Sequence, residues 1–546
     1  MILSFVLIYF CSFIHAIRYS VITSADKAGV LVDGKYYQLK PTWHHVLFRG
    51  EAPVARYGYT YVKTISQHSR REKFLRHPVS TDTVNEFYNR TWNHRHVEPL
   101  TSIYPPLQPI IGNSSSLHPE GQIPTIHFKG SASKIEHMHN DPQSKKHVQV
   151  DMSFIGLENE LEFKKVKLQL SGRSSRKMAK LSYKFELDKK DLLYGYREFK
   201  LRSMFLDPSY LREQIGYDFA NAMGLATSQS SFVRVFVNGK ELGLFGLIET
   251  FEAPWSANTL EGNGGLYQGK RTDVLADLGY YSNHGAYKKG QYELKQKGTT
   301  SGLQPIIDFT QFIHEGSTSV VEWNKWINVD SFLRSMALEV TLGFMDGYLA
   351  QANNYYLYQI PDGQFIYIPY DMDSILGITY FNPEAMLSGN YSDFPNLYKR
   401  PLMRQLLRVP EFEHRFNQII LRIARYIPHK TKRRIDQLAN MIAQDVEWDQ
   451  SIPHVSTNLF SFDQKNPIDA MGATYRTELL ASVRKLGISL PTGVNQTLIR
   501  DFVQWLSDRS VPFKRAVNGP TGHPSLYGLK EWLRLSSQAI QRFYLK

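Results

Sequence analysis

A chain of 546 residues with 42% hydrophobic and 13% aromatic residues can bury a large core, and this composition excludes an intrinsically disordered protein. Its 64 Lys and Arg against 51 Asp and Glu leave a net charge of +13, which favours an anionic partner such as a nucleotide, a phosphorylated protein or a cell surface. The single cysteine, Cys11, excludes a disulfide framework, so stability has to come from burial.

The first residues, MILSFVLIYFCSFIHA, form an apolar run ending at Ala16. They read as a cleaved secretory signal over 1–16, which would carry Cys11 away and leave no transmembrane helix behind. On that route the N-x-S/T tripeptides at Asn89, Asn113, Asn390 and Asn495 become glycosylation acceptors. The last residues, SSQAIQRFYLK, have no hydrophobic tail, so no glycolipid anchor is expected.

From 17 to 115 the stretches YSVITS, GVLVDGKYYQL and YGYTYVK alternate polar and apolar residues, predicting a small β domain with a turn at Asp33-Gly34. SIYPPLQPIIGNSSS reads as the linker that closes it. The His-rich EHMHND at 136–141 has no partner cluster at zinc spacing and is expected to be a surface turn.

Strands dominate from 121 to 251: KKVKLQLSG, KLSYKFEL and YREFKLRS, then SFVRVFV and ELGLFGLIE as a hairpin around Asn238-Gly239. One helix is expected among them, in DPSYLREQIGYDFANAMG, with Asp207 as its cap and Pro208 in its first turn. Between Glu162 and Arg202 stand 13 Lys and Arg against 5 Asp and Glu. Nucleic acid would fit that sign, but no zinc spacing, heptad or aromatic RNA-binding signature accompanies it, and none is expected as a partner. A solvated basic strand face is the plain alternative.

From about Val329 helical patterns take over. PEFEHRFNQIILRIARYIP places Phe412, Phe416, Ile419, Ile423 and Ile427 on one face. Between these halves lies DGYLAQANNYYLYQIPDGQFIYIPYDMDSILG, from Asp346 to Gly377: two tyrosine-rich strands around a PDG turn, followed by two carboxylates. A strand-rich half joined to a helix-rich half, with polar residues at the join, predicts an α+β enzyme of two lobes with a cleft. No Ser-His-Asp or G-x-S-x-G arrangement points to hydrolysis.

FKLRS, DPSYLREQIGYDFANAMG, VNGKELGLFGLIE, NNYYLY and IPYDMDSILG, in this order, resemble the spore coat protein H (CotH) kinase-like family. YSVITSADKAGVLVDGKYYQL and VNEFYNRTW look like its mucoralean fungal branch, which includes surface invasins. The resemblance implies a two-lobed atypical protein-kinase-like fold: a strand-rich N-lobe at 116–255, a hinge, insertion and catalytic core at 256–400, and a helical C-lobe at 401–546. It implies ATP, Mg²⁺ or Mn²⁺, and a protein substrate with Ser or Thr acceptors. It leaves open a binding protein for a host-cell receptor that uses the fold as a scaffold. Either would be secreted or displayed on a cell or spore surface.

The implied site follows the parts of phosphoryl transfer. Asp371 is the metal ligand, with Asp373 as a second ligand or supporting group; if the strand persists the two share a face, and the alternative is a turn or helix cap. Asp346 orients the acceptor or serves as base, and Asn354 is a further metal ligand with Asn353 as its alternative. These two stand eight positions apart rather than the five of H-R-D-x-x-x-x-N, and no His-Arg precedes the Asp; a helix-ending turn is the other reading of Asp346-Gly347. In FKLR, Phe199 and Leu201 face the core while Lys200 and Arg202 face the cleft. Arg202 would grip phosphate, paired with Glu213 on the next helix, with Lys184 as substitute cation; a solvent-facing charge is the alternative. GRSSRKMAK at 172–180 would cover the phosphates or is a basic hairpin turn. Glu249 lies where a hinge would meet adenine. GNGGLYQGK at 262–270 lacks the G-K-S/T of a phosphate loop and reads as a loop.

Overall fold

The computed structural model describes residues 16–111, 115–172, 175–251, 254–260, 263–272, 274–299, 302–455 and 494–545. Residues 1–15 of the expected secretory signal, with Cys11, and Asn113 lie outside the described residues. The chain is α+β.

The first seven strands, β1 (Ala16–Ile22), β2 (Lys27–Val32), β3 (Lys35–Pro41), β4 (Leu47–Pro53), β5 (Tyr59–Ile65), β6 (His68–Arg71) and β7 (Glu86–Phe87), form one sheet in the order β6-β5-β2-β3-β4-β1-β7. Period-2 alternation sends Ile17, Tyr19, Val21, Val30 and Tyr61 into a common core. The expected turn joins β2 to β3, with Asp33 at φ 48° and Gly34 at φ 86°, the left-handed pair that a two-residue hairpin loop needs.

The next seven, β8 (Thr125–Gly130), β9 (Val148–Ile155), β10 (Glu160–Ser171), β11 (Ser182–Glu186), β12 (Glu198–Arg202), β13 (Ser230–Val237) and β14 (Lys240–Glu249), close into a barrel in the order β10-β11-β12-β14-β13-β8-β9. Phe128, Phe185, Phe199, Leu201, Val235 and Phe245 share its core, so Phe199 and Leu201 point inward as expected and Lys200 and Arg202 take the other face. The helix expected at 207 begins later, at Arg212, and runs to Ala222. Asp207 closes the turn before it by accepting from the Ser209 and Arg212 amides and from the Arg212 guanidinium.

Two segments differ from the reading above. EHMHND belongs to a helix, Ala132–Asn140, whose spacing buries Ile135, Met138 and His139. The His139 ring meets the Tyr183 hydroxyl at 2.9 Å, so burial, not a metal, accounts for it. GLYQG, expected in a loop, is a strand, β15 (Gly265–Gly269), which pairs with β16 (Tyr292–Gln296) and with the first strand of the tyrosine hairpin, β17 (Tyr355–Gln359). β18 (Phe365–Pro369) completes this sheet beyond the PDG turn.

That last sheet separates two cores. Tyr355, Leu357, Phe365 and Tyr367 pack into the helical half, while Tyr356, Tyr358, Ile366 and Ile368 join the barrel cluster. Burial on both faces explains why YYLY and FIYIP carry almost no polar side chains. The helical half starts before Val329, with helices Gln304–Glu315 and Val320–Trp326 preceding Val329–Leu342.

The helix that carries PEFEHRFNQIILRIARYIP runs from Pro410 to Ser451, with Pro428 in its interior. A mid-helix proline strips the carbonyl four residues earlier of its amide partner, here that of Ala424. Ser537 Oγ donates to this oxygen at 2.7 Å and Gln541 Nε2 at 3.3 Å, both from helix Leu529–Tyr544. Tertiary packing thus satisfies the bond that proline removes. Near its end the helix clamps the barrel: buried Asp445 accepts from Arg90 and Arg234, and Asp449 from Lys180 and Tyr210.

Candidate functional site

The site assembles where β12, helix Arg212–Ala222 and the segment after β18 meet. Arg202 ends β12 and lies buried. Its Nε and Nη2 donate to the two oxygens of Glu213 at 2.7 and 2.8 Å, the bidentate geometry that a planar guanidinium favours. Burial works against the Arg202 charge, but Glu213 and then Asp373 outweigh it and hold the guanidinium above the ordinary arginine range. Burial pushes the Glu213 carboxyl up, against the pull of Arg202.

The same guanidinium donates to Asp371 and reaches Asp373 at 3.5 Å. Lys200, two residues back on the same face of β12, approaches the other Asp371 oxygen at 3.4 Å and lies over the Tyr370 ring, 5.5 Å from its centroid. Burial, and then Arg202 beside it, push the Lys200 ammonium down from its usual value. Lys200 carries no role in the sequence reading beyond its facing, and the alternation in EFKLR is the signal that joins it to Arg202.

The strand does not persist to Asp371, as the reading of Asp371 and Asp373 on one strand face required. β18 ends at Pro369, and Asp371 sits at φ 57°, a conformation that costs a non-glycine residue about 1 kcal/mol or more and clusters at functional sites. Its amide donates to the Tyr217 hydroxyl at 3.3 Å. Tight helix packing fixes this turn: a Cβ on Gly216 would stand 2.8 Å from the Met372 Cβ. Both carboxylates still converge, through the turn and not through strand alternation, on Arg202.

Asp346 is held by both candidate amides. Asn354 Nδ2 donates to it at 2.9 Å and Asn353 Nδ2 at 3.3 Å, and Asn354 is also left-handed, at φ 58°. These bonds leave the carbonyl oxygen of Asn354 to other partners. Burial first, and the Asp373 charge second, raise the Asp346 carboxyl to about 6. Gly347 is extended rather than a left-handed helix end, so the D-G pair is not a plain helix-ending turn. Close approach explains the glycine, because a Cβ there would meet the Glu339 carboxyl at 2.7 Å.

Glu339 carries no role in the sequence reading, and a lone acid in the apolar run LEVTLGFM is its only sequence signal. It accepts from the Tyr348 and Leu349 amides at 2.9 and 2.8 Å, while Arg400 donates to the carbonyls of Tyr348, Leu349 and Ala350. Together they anchor the loop that bears Asp346. Burial raises Glu339 to about 8, against those amide bonds.

The other candidates make their contacts outside this cluster, although Lys184 stands directly across from Lys200 in the β11–β12 register. Lys184 pairs with Glu198 at 2.5 Å. The Glu249 carboxylate is engaged by His118 Nε2 and the Gln229 amide, both at 2.7 Å. In the described part of GRSSRKMAK, Arg176 holds the carbonyls of Pro142, Ser144, Leu170 and Gly172, and Lys180 is buried against Asp449. Among the described residues no three His, Cys, Asp or Glu form a metal-binding group. The donors that do converge are the Asp371 and Asp373 carboxylates, drawn together on Arg202; these are hard oxygen ligands of the kind magnesium or manganese takes, and such ions need only one or two protein carboxylates when phosphates and waters complete the shell.

A family model described as CotH kinase protein matches residues 168–466, more than half of the chain. The chain belongs to the CotH family. Among curated CotH relatives, Invasin CotH2 of Rhizopus delemar is 26% identical over 71% of this chain and 68% of its own length. Invasin CotH3 of the same organism is 25% identical over 82% and 78%. Inner spore coat protein H of Bacillus subtilis is 26% identical over 48% of this chain and 78% of its own length. The CotH match spans every residue of the cluster, from Lys200 to Asp373. Among the described residues no helix is long and apolar enough to cross a membrane.

Proposed function

We propose that this CotH chain is an atypical kinase, secreted or displayed at a cell or spore surface, that transfers the γ-phosphoryl group of ATP to Ser or Thr of a protein. In this reading the barrel and helix Arg212–Ala222 form one lobe and the helical half the other. The observation that carries it is the Arg202 guanidinium, which bridges Glu213 on one side and Asp371 with Asp373 on the other. A strand cation paired to a helix carboxylate and facing acids after a later strand is the arrangement phosphoryl transfer uses.

Lys200 and Arg202 neutralise the phosphates. Asp371 and Asn354, with Asp373 beside them, would hold Mg²⁺ or Mn²⁺, whose chemistry is to offset charge on the triphosphate oxygens. Asp346 orients the acceptor hydroxyl and takes its proton as the oxygen bonds to the γ-phosphorus and the bond to the ADP oxygen breaks. A carboxyl titrating at about 6 is well matched to that role at neutral pH. Incubation with γ-labelled ATP and Mg²⁺ or Mn²⁺ is expected to label the protein or an added Ser/Thr-bearing substrate, and D371A is expected to abolish the label. Equal labelling in both would reject the mechanism.

The names of the Rhizopus delemar relatives support a second reading, an invasin that binds a host-cell receptor on this scaffold. It is favoured if ATP with Mg²⁺ or Mn²⁺ leaves the melting temperature unchanged while the protein still binds host cells.

A further inference from the structure

Beside helix Arg212–Ala222 lies a cavity of 330 Å³, separate from the smaller pocket that Arg202 and Asp373 line, although Gln214 borders both. Its walls come from that helix, residues 99–100 and 118–122, the start of β13 with Gln229 before it, and the long helix. The volume is at the lower end of the range for small-molecule sites. Gln214, Tyr217 and Asp218 line it from the helix, Phe232 from β13, and Arg434 from the long helix.

Gln214 is 7% exposed, and its Oε1 has no partner among the described residues. The orientation of the amide is set by its other end, since Nε2 donates at 3.0 Å to Asp218, a carboxylate that can only accept. The buried oxygen is therefore an acceptor without a donor, which costs about 1–3 kcal/mol when unsatisfied. Arg434 is already committed, to Asp218 at 2.9 and 3.2 Å and to Glu120 at 2.8 Å. Two carboxylates against one guanidinium leave this wall negative, which disfavours phosphate.

We infer that this cavity is a second binding site, for a hydroxyl-rich ligand of monosaccharide size that is neutral or positively charged. The Tyr217 and Phe232 rings supply apolar faces, Gln214 and Asp218 accept from hydroxyls, and the charge of the wall selects against anions. The site is independent of the nucleotide reading, so either can fail alone.

Calorimetric titration of the full chain with glucose, glucosamine and glucose 6-phosphate holds the ring constant and varies its charge. Glucosamine and glucose are expected to bind, glucosamine more tightly, and glucose 6-phosphate at least tenfold more weakly than glucose. Q214M removes the orphan acceptor and is expected to weaken both neutral and cationic sugars at least tenfold. N221W closes the cavity from an exposed lining position, where misfolding is not expected, and should block both. Absence of binding by all three sugars, preference for the phosphorylated one, or binding unaffected by either variant would overturn the inference.

Discussion

Replacing Asp346 with Asn separates catalysis from stability. The carboxyl titrates at about 6 in the folded chain and near 3.9 when unfolded, a difference of about 2 pH units and thus up to about 3 kcal/mol. A raised carboxyl binds its proton more tightly when folded, so the wild type loses stability as pH rises from about 4 to about 6 and stays at the lower level above. Asp346 keeps partial exposure, and solvent screening reduces the effect to about 1–2 kcal/mol. Below pH 4 the wild-type carboxyl is itself protonated, so it and the substituted amide each offer one full acceptor oxygen to the side-chain amides of Asn353 and Asn354. D346N should therefore match wild type within about 1 kcal/mol below pH 4 and gain on it by about 1–2 kcal/mol above pH 6.5. At the same time it should transfer phosphate at least 100-fold more slowly. Urea unfolding of both proteins from pH 4 to 8 reads the first effect and labelled ATP the second. A stability difference that does not change with pH would refute the reasoning about burial, and full activity in D346N would remove the residue from the chemistry.

Three further outcomes follow from other contacts. The cycle of R202M, E213Q and the double variant should show a coupling of about 2–3 kcal/mol in unfolding free energy, because R202M leaves buried Glu213 without its bidentate partner while E213Q leaves Arg202 only Asp371 and Asp373; additivity within about 0.5 kcal/mol would deny the pair its role. D445N leaves buried Arg90 and Arg234 without their shared carboxylate and should cost about 3–5 kcal/mol, read as a fall in melting temperature that D445E does not fully restore. G347A forces a methyl against the Glu339 carboxyl and should cost about 1–3 kcal/mol, with a loss of transfer larger than that stability change explains, since the loop bearing Asp346 shifts.

Local rules made much of this legible. Alternation in EFKLR gave the two faces of β12, turn chemistry gave the Asp33-Gly34, Asn238-Gly239 and PDG turns, and the 3.6-residue period gave the buried face of PEFEHRFNQIILRI. The Arg202–Glu213 pair is legible only through the CotH resemblance, which implies a strand cation paired with a carboxylate of the next helix. What escaped depends on contacts distant in sequence. That the helix runs on through Pro428 depends on Ser537, more than a hundred residues later, which supplies the bond the proline removes. GLYQG reads as a loop because its strand character comes from β16 and β17. His139 reads as exposed until Tyr183 is placed against it. The convergence of Asp371 and Asp373 arises from a left-handed turn pinned by Tyr217 and Gly216, which no spacing of two residues encodes. Glu339 acts through backbone amides, and such a role leaves no motif.

The central claim is that Arg202, Lys200, Asp371 and Asn354 form one site for a metal–triphosphate. Isothermal titration of the wild type and D371A with ATP, in Mg²⁺, in Mn²⁺ and in EDTA, tests it most directly. The account predicts binding by the wild type that needs the metal and a loss of at least tenfold in D371A. Equal affinity in the two proteins, or no binding with either metal, would contradict it.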